Sequence, residues 1–211
     1  MPAYRPGVLL DLDGTLVDSV YHHVIAWSEA LADHGYTVAL WRIHAAIGMG
    51  GQRLLPWLLR GHVPEAEAIS QAHQARFLAR ADQLRPTDGA HALLDDLEQR
   101  NIATIIATSA EPEEHDALLK ALGRSDLPTA NAGDVGSPKP APDLLLTACD
   151  QIGVDPSSAT LIGDSPWDAE AASRVGVRCI AVRTGGFGDE RLLEAGAYDV
   201  VEDPAALVGR L

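Results

Sequence analysis

Short apolar runs alternate with amphipathic stretches along most of the chain, and this pattern predicts strands followed by helices. The predicted strands are apolar throughout, which is typical of strands covered on both faces. Their alternation with helices of about a dozen residues indicates a parallel sheet with helices on both sides. The predicted strands cover residues 7–11, 102–108, 129–132, 159–163, 177–182 and 198–201, and helices cover 88–99, 112–122, 142–152 and 167–175, with a further helix before residue 198 and a last one from Pro204.

An all-helical block interrupts this alternation directly after the first strand. Val20, Val24, Trp27 and Leu31 repeat at helical spacing, and Gly35 follows as a helix-ending glycine. Further helices are predicted at 40–47, 52–60 and 64–82. We interpret residues 18–85 as an inserted α-helical cap with hinges near 16–19 and 83–88. Residues 1–17 and 86–211 then form an α/β core, a doubly wound, Rossmann-like parallel sheet.

Composition narrows the possible partners of the chain. The formal net charge of −14 argues against binding to nucleic acids or anionic membranes, since both need a basic face. An anionic substrate would require a local positive group or a bound cation. The two cysteines, Cys149 and Cys179, lie in apolar surroundings and are expected to be reduced. We expect a cytoplasmic protein, because no leader or membrane-spanning run is present. A monomer and a homodimer are both compatible with the sequence.

Polar side chains collect where the predicted parallel strands end. In open α/β sheets, ligands bind outside the carboxyl ends of the strands. The first strand leads into DLDGT, and the strand at 159–163 leads into DSPWD, so acids from both meet at one edge. Buried carboxylates placed side by side are costly unless a cation neutralises them. Mg²⁺ prefers oxygen ligands, which Asp11, Asp164 and the backbone carbonyl of Asp13 could supply.

The neighbouring positions complete a phosphate site. One carboxylate of the D-x-D pair can act as a nucleophile while the other handles protons. Lys139, between two prolines, would neutralise phosphate charge. The hydroxyls of Thr108 and Ser109 and backbone N–H groups such as that of Gly14 would bind the phosphate oxygens.

Four stretches of this sequence resemble the four motifs of the haloacid dehalogenase-like superfamily over essentially the whole chain. They are DLDGTLVDS, IIATS, GSPKPAPD and LIGDSPWDAEAA, in that order. The resemblance implies that Asp11 attacks phosphorus and forms an aspartyl-phosphate, and that Asp13 protonates the leaving alcohol and then activates water. It implies that Thr108 and Lys139 stabilise the transferring phosphoryl group. Asp164 would ligate Mg²⁺, and Asp168 would do so through water or from outside the first coordination sphere.

The predicted cap is similar to that of the phosphoglycolate phosphatase and β-phosphoglucomutase branch. Asp18, His23 and Trp27 match its D-x4-H-x3-W pattern, and IGMGGQRLL resembles its substrate-facing loop, in which Arg53 would meet the substrate. The second aspartate of D-x-D favours phosphate esters over halogenated substrates. After Ser109 the chain reads AEPEE, where many phosphatases of this branch have Asn-Lys or serines. A sugar or other small phosphate therefore fits at least as well as phosphoglycolate.

Ordinary structural roles compete with several of these assignments. Thr108 and Ser109 could cap the helix at 112–122, and Asp164 and Asp168 could cap the helix at 167–175. Lys139, His23 and Arg53 could be ordinary surface or half-buried residues, and the acidic run 111–116 is interpreted as a solvated helix start. The leading function is a Mg²⁺-dependent phosphatase of small phosphomonoesters. The alternatives are a sugar-phosphate mutase, a non-catalytic regulator that binds a phosphorylated ligand, and a phospho-accepting receiver domain.

Overall fold

The computed structural model describes residues 6–131 and 143–211, apart from the side chains of residues 51 and 52. Six parallel strands form one sheet in the order β3-β2-β1-β4-β5-β6. The chain therefore builds the sheet outward from β1 in one direction and then returns to continue on the other side. The strands are β1 Gly7–Leu10, β2 Ala103–Thr108, β3 Thr129–Asn131, β4 Ala159–Gly163, β5 Arg178–Val182 and β6 Asp199–Val201.

The sheet is covered on both faces, as its uniformly apolar strands predict. Along β1, Val8 and Leu10 pack into one hydrophobic cluster while Leu9 packs into a second cluster on the opposite face. This alternation follows from the two-residue period of a strand. The expected doubly wound parallel sheet is confirmed. The helices that follow β1 are α1 Val20–Asp33, α2 Leu40–His44, α3 Gly51–Leu59, α4 Ala66–Leu78, α5 Ala90–Gln99, α6 Pro112–Leu122, α7 Asp143–Ile152, α8 Pro166–Val175 and α9 Asp189–Glu194.

Helices α1–α4, here called the helical segment, lie between β1 and α5 in the chain and have a hydrophobic cluster of their own. Helix α1 buries Val24, Trp27 and Leu31 on one face, as the helical spacing predicts. Glu29 of α1 pairs with Arg80, which follows the end of α4: Arg80 Nη2 donates to Glu29 Oε1 at 2.6 Å. The helical segment is thus packed as a unit beside the sheet.

The two connections between the sheet and the helical segment run side by side. The Asp18 amide donates to the carbonyl of Arg85 at 2.9 Å, and the Thr87 amide donates to the carbonyl of Leu16 at 3.0 Å. The Thr87 hydroxyl adds a hydrogen bond to the carbonyl of Thr15 at 2.7 Å. The chain therefore leaves and re-enters the core at adjacent points, in the stretches predicted as hinges.

The structure differs from the predicted elements mainly at their ends, and in the type of the last one. The helix predicted at 64–82 ends at Leu78 and is followed by a 3₁₀ turn, Ala81–Gln83. The last predicted helix is a 3₁₀ turn, Pro204–Leu207, which ends because the backbone of Val208 leaves the helical region at ψ 124°. Cys149 and Cys179 are buried and unbonded to each other, as expected. None of the described helices combines the length and apolarity that crossing a membrane requires.

Candidate active site

Three buried carboxylates meet at the carboxyl ends of β1 and β4. Strand register places Leu10 opposite Ile162, and the Asp11 amide donates to the carbonyl of Ile162 at 2.9 Å. Asp11 and Asp164 therefore follow neighbouring strand ends, at the point where the sheet order reverses direction. One oxygen from each of Asp11, Asp164 and Asp168 lies within 4.8 Å of the others. The structure thus brings together three of the predicted acids.

The Asp164 carboxylate is held by the turn that follows β1. Thr15 Oγ1 donates to Asp164 Oδ1 at 3.1 Å. Gly14 adopts φ +75°, and a Cβ at that position would lie 2.3 Å from Asp164 Oδ2. Only glycine combines this backbone conformation with the required close approach. The glycine after D-x-D is therefore needed for the turn that packs against Asp164.

Asp168 has two roles in the structure. Its Oδ2 accepts from the Ser165 amide at 3.2 Å while its own amide donates to Ser165 Oγ at 3.4 Å, and these two bonds form a capping box at the start of α8. Ser165 Oγ also donates to Asp168 Oδ2 at 2.6 Å. Ser165 is the N-cap residue, so the alternative in which Asp164 caps this helix is wrong. Asp168 is also a member of the carboxylate cluster, so its capping role and its predicted place near the metal coexist.

The donor set of this cluster fits a hard divalent cation. Asp11, Asp164 and Asp168 are each no more than 4% exposed, so their like charges are poorly screened. A cation bound between them would remove that repulsion, and an all-oxygen set of carboxylates is the kind that Mg²⁺ prefers. These residues could therefore hold the predicted metal.

Asp13 points toward the helical segment and is not a member of the carboxylate cluster. Its Oδ1 accepts a hydrogen bond from Ser19 Oγ at 2.8 Å and lies 2.9 Å from His23 Nε2. Ser19 Oγ also accepts from the Gly14 amide at 3.1 Å, which ties this carboxylate to the turn. Asp11 and Asp13 are therefore placed for different tasks, one beside the cluster and one beside a histidine.

Two residues that the sequence did not single out extend this contact. His23 Nδ1 lies 3.0 Å from His73 Nε2, and His73 Nδ1 lies 3.5 Å from Glu114 Oε1. All three are buried, and they could also hold a metal ion by their donor types. Asp13, His23, His73 and Glu114 form a continuous chain of contacts, here called the relay.

Burial and mutual charge determine how the relay residues titrate. Burial and the neighbouring His23 lower the pKa of His73 well below its usual value. Burial lowers the pKa of His23, but attraction to Asp13 and Glu114 more than offsets it, and the net shift is upward. Burial, with the charges of Asp13 and Glu111, raises the pKa of Glu114 to about 7 although His23 opposes the shift.

The interpretation of residues 111–116 as a solvated helix start is wrong for Glu114. Glu111 and Glu113 are exposed, but Glu114 is only 6% exposed. The reason is helical spacing, because Glu114 shares the buried stripe of α6 with Leu118 and Leu122. His73 occupies the same kind of position on α4, between Ile69 and Phe77. The sequence therefore held one signal for these two residues: each is an ionisable side chain at a helix position where the spacing predicts an apolar one.

A cavity of about 360 Å³ lies between the helical segment and the strand ends. Among the described residues that line it, none is lysine or arginine. The lining residues from the helical segment are apolar or polar without an acid, apart from Glu67, and the other acids of the lining come from the core. The lining includes Asp11, Asp13, His23, Asp164 and Asp168 of the site, Trp27, Ile47 and Leu54 as apolar residues, Ser70, Gln71, Gln74 and Ser109 as neutral polar residues, and Glu67, Glu111 and Glu114 as further acids.

The remaining predicted site residues are placed as follows. Thr108 is buried at the end of β2, where its Oγ1 accepts from the Ala110 amide at 3.1 Å, while the N-cap of α6 is Glu111. Capping of α6 by Thr108 or Ser109 is therefore wrong. Ser109 lines the cavity, whereas Arg53 is exposed on α3 and is not among the lining residues. Lys139 lies outside the described residues, so its role stays a prediction.

A family model, curated relatives and a solved structure that are similar to this chain are all described as hydrolases or phosphatases. The family model for haloacid dehalogenase-like hydrolases matches residues 6–176. N-acetylmuramic acid 6-phosphate phosphatase of Pseudomonas aeruginosa is 29% identical over 95% of this chain and 92% of its own length. Phosphoglycolate phosphatase of Rhodospirillum rubrum is 31% identical over 95% of this chain and 88% of its own. A crystal structure of a hydrolase from Pseudomonas syringae superposes with a TM-score of 0.95 at 36% identity, covering 98% of this chain and 97% of that one.

Proposed function

Because the chain belongs to the haloacid dehalogenase-like hydrolase family, we propose that it is a Mg²⁺-dependent phosphatase of small phosphomonoesters that works through an aspartyl-phosphate. One observation carries the proposal. Three buried carboxylates converge at the ends of two neighbouring strands, and Asp13 lies beside them in contact with a histidine. This arrangement separates a group suited to attack from a group suited to proton transfer.

In the proposed reaction, an Asp11 oxygen attacks phosphorus and the bond from phosphorus to the leaving oxygen breaks. Asp13 gives its proton to that oxygen, and the alcohol departs. Asp13, now a carboxylate, takes a proton from a water molecule that attacks the phosphoryl group on Asp11. The second bond to phosphorus breaks, inorganic phosphate leaves, and both aspartates return to their starting states.

The other residues stabilise charge and hold geometry. A Mg²⁺ held by Asp11 and Asp164, with Asp168 alongside, would neutralise the negative charge that the phosphoryl oxygens bring to the site. We assign the hydroxyls of Thr108 and Ser109 and the ammonium group of Lys139 to the remaining phosphate oxygens. The Gly14 amide, which was predicted for the same role, donates instead to Ser19 Oγ and to the carbonyl of Val17. The helical segment would act as the cap, excluding bulk water and contacting the leaving group.

The cavity wall favours a leaving group without further negative charge. Glu67 and Glu111 at the lining would repel a second anionic group, and no described lining residue is a lysine or arginine that could pair with one. Ser70, Gln71 and Gln74 offer neutral donors and acceptors that match hydroxyl groups. We therefore infer that a neutral sugar or polyol monophosphate is a better substrate than phosphoglycolate, whose carboxylate would be unpaired.

A phosphate-release assay tests this function. Purified protein with Mg²⁺ is offered hexose monophosphates, N-acetylmuramic acid 6-phosphate and phosphoglycolate, with the Asp11→Asn variant as the blank. We expect release from the hexose phosphates to exceed release from the two carboxylate-bearing esters. An isomerised sugar phosphate without phosphate release would indicate the mutase alternative, and absence of any reaction would refute the proposal.

A further inference from the structure

The relay crosses twice between the core and the helical segment. Asp13 follows β1, His23 lies on α1, His73 on α4 and Glu114 on α6. The segment contributes the two inner members and the core contributes the two ends. The chain of contacts is therefore complete only while α1 and α4 are seated between the β1 turn and α6.

The hydrogen bonds of the relay have a preferred direction of donation. His73 is held neutral by its surroundings, so its ring carries one N–H. Above its pKa of about 7, Glu114 is a carboxylate whose Oε1, 3.5 Å from Nδ1, attracts that N–H, which leaves Nε2 as an acceptor. His23 Nδ1, 3.0 Å away, must then carry a hydrogen and donate it to His73. The ring of His23 is thereby oriented with Nε2 toward Asp13.

We propose that His73 and Glu114 are positioning residues that orient His23 and, through it, hold the Asp13 carboxyl in place for proton transfer. This proposal rests on the proposed function, in which Asp13 is the acid and base. It adds two residues that lie outside the carboxylate cluster and act on Asp13 through His23, although both also line the cavity. Their role is geometric, because a half turn of an unrestrained His23 ring would put Cε1 in the place of Nε2 and break its contact with Asp13.

Packing restricts the rings of the relay in the way this role requires. The His73 ring stacks on Trp27 with centroids 4.0 Å apart, and the His23 ring stacks on Phe77 at 3.9 Å. Stacked, buried rings keep one orientation, so each hydrogen bond sets the direction of the next. A buried carboxylate such as Glu114 is costly to the fold, which indicates that its position serves something other than stability.

The proposal can be tested by comparing how each variant affects kcat/KM for esters with different leaving groups. A purely structural defect would lower kcat/KM equally for all of them. A hexose phosphate has a poor leaving group that needs protonation, whereas p-nitrophenyl phosphate has a good one. The variants are Glu114→Gln, which keeps the shape but removes the charge, and His73→Phe, which keeps the stacking but removes both ring nitrogens. Glu113→Gln is the matched control, because Glu113 is the exposed neighbour on the same helix and does not line the cavity. Its side chain accepts a hydrogen bond from Gln74 Nε2 at 3.1 Å, and the amide oxygen of a glutamine can still accept it.

We expect both variants to lower kcat/KM for the hexose phosphate by about 10-fold to 100-fold, a substantial part of what general acid catalysis contributes. For p-nitrophenyl phosphate the loss should stay within about threefold, since little protonation is needed. Glu113→Gln should match the wild type with both substrates. His73→Gln, whose amide can accept from His23, should recover part of the rate that His73→Phe loses.

Several outcomes would overturn the proposal. Equal losses with both substrates would indicate a general structural defect, and unchanged rates would show that His73 and Glu114 do not act on Asp13. A transition metal that copurifies with the wild type and is absent from Glu114→Gln would assign these residues to a metal site instead. A wild-type protein inactive with both esters in Mg²⁺ would refute the proposed function, and the proposal would fall with it.

Discussion

Gly185 packs against Asp164 so closely that a Cβ atom at this glycine would lie 2.2 Å from Asp164 Oδ2 and 2.4 Å from its backbone oxygen. Such distances are incompatible with a side chain unless the carboxylate moves. The loop after β5 is therefore a wall of the carboxylate cluster, although it carries no motif residue. His44 Nε2 lies 2.8 Å from the carbonyl of the same glycine, so the helical segment touches this wall as well.

Gly185→Ala should displace the Asp164 carboxylate and raise the Mg²⁺ concentration needed for half-maximal activity by about tenfold or more. Gly188→Ala is the control, because a Cβ there meets no atom within 4 Å and the loop is the same. The measurement is phosphate release as a function of Mg²⁺ concentration. Equal Mg²⁺ requirements for the two variants would show that the loop does not constrain Asp164.

Asp11→Asn should reduce turnover by about 10⁴-fold or more, because an amide cannot attack phosphorus as a carboxylate does. The fold should be retained, since the change is isosteric. Steady-state phosphate release and thermal unfolding of the same preparation separate the two effects. Turnover that persists in this variant would remove Asp11 from the role of nucleophile.

Removal of divalent cations with a chelator should abolish phosphate release, and added Mg²⁺ should restore it. Asp164→Asn should weaken Mg²⁺ binding by about 10-fold to 100-fold, since one of three clustered carboxylates loses its charge. The check is a Mg²⁺ titration followed by activity and, independently, by calorimetry. Full activity in chelator would exclude the proposed cofactor.

Glu114→Gln should make the protein more stable at high pH. The carboxyl pKa rises from its usual 4.5 to about 7 on folding, so the folded state keeps a proton that the unfolded chain has lost. Stability of the wild type therefore falls as pH rises from 4.5 to about 7, and the variant should not show this loss. We expect the free energy of unfolding of the variant, relative to the wild type, to be about 3 kcal/mol higher at pH 8 than at pH 4, because each pKa unit corresponds to about 1.4 kcal/mol.

Chemical denaturation at the two pH values measures this difference in the free energy of unfolding. Glu113→Gln again serves as the control, because its side chain is exposed and its charge is screened. A stability difference for Glu114→Gln that does not change with pH would contradict a raised pKa. A more stable but slower Glu114→Gln enzyme would fit a carboxylate retained for its positioning role.

The sheet and the carboxylate cluster could be predicted from sequence because their signals are local. Apolar runs mark the strands, and parallel pairing brings the residues that follow neighbouring strands to one edge. Asp11 and Asp164 therefore converge once the order of strands is known. The turn at Gly14 is also visible, since a glycine directly after acids indicates an unusual backbone conformation.

The relay could not be predicted in the same way because its members meet only through tertiary packing. His73 and Glu114 are 41 positions apart and lie on different units, and each looks like an ordinary polar residue of an amphipathic helix. The local pattern shows only that each occupies a position usually taken by an apolar side chain. His73 and Glu114 meet only because α4 packs on α6, and no local pattern in the sequence shows that packing.

The two connections between the core and the helical segment are paired, Asp18 with Arg85 and Leu16 with Thr87. This pairing affects how the protein can diversify. Since both junctions sit at one point on the core, a foreign set of helices whose ends lie equally close could be grafted there without disturbing the sheet. The acids of the carboxylate cluster would be inherited unchanged by such a chimera. The transplanted helices would determine which leaving group is accepted. The relay would lose His23 and His73, so new partners for Asp13 and Glu114 would have to be selected.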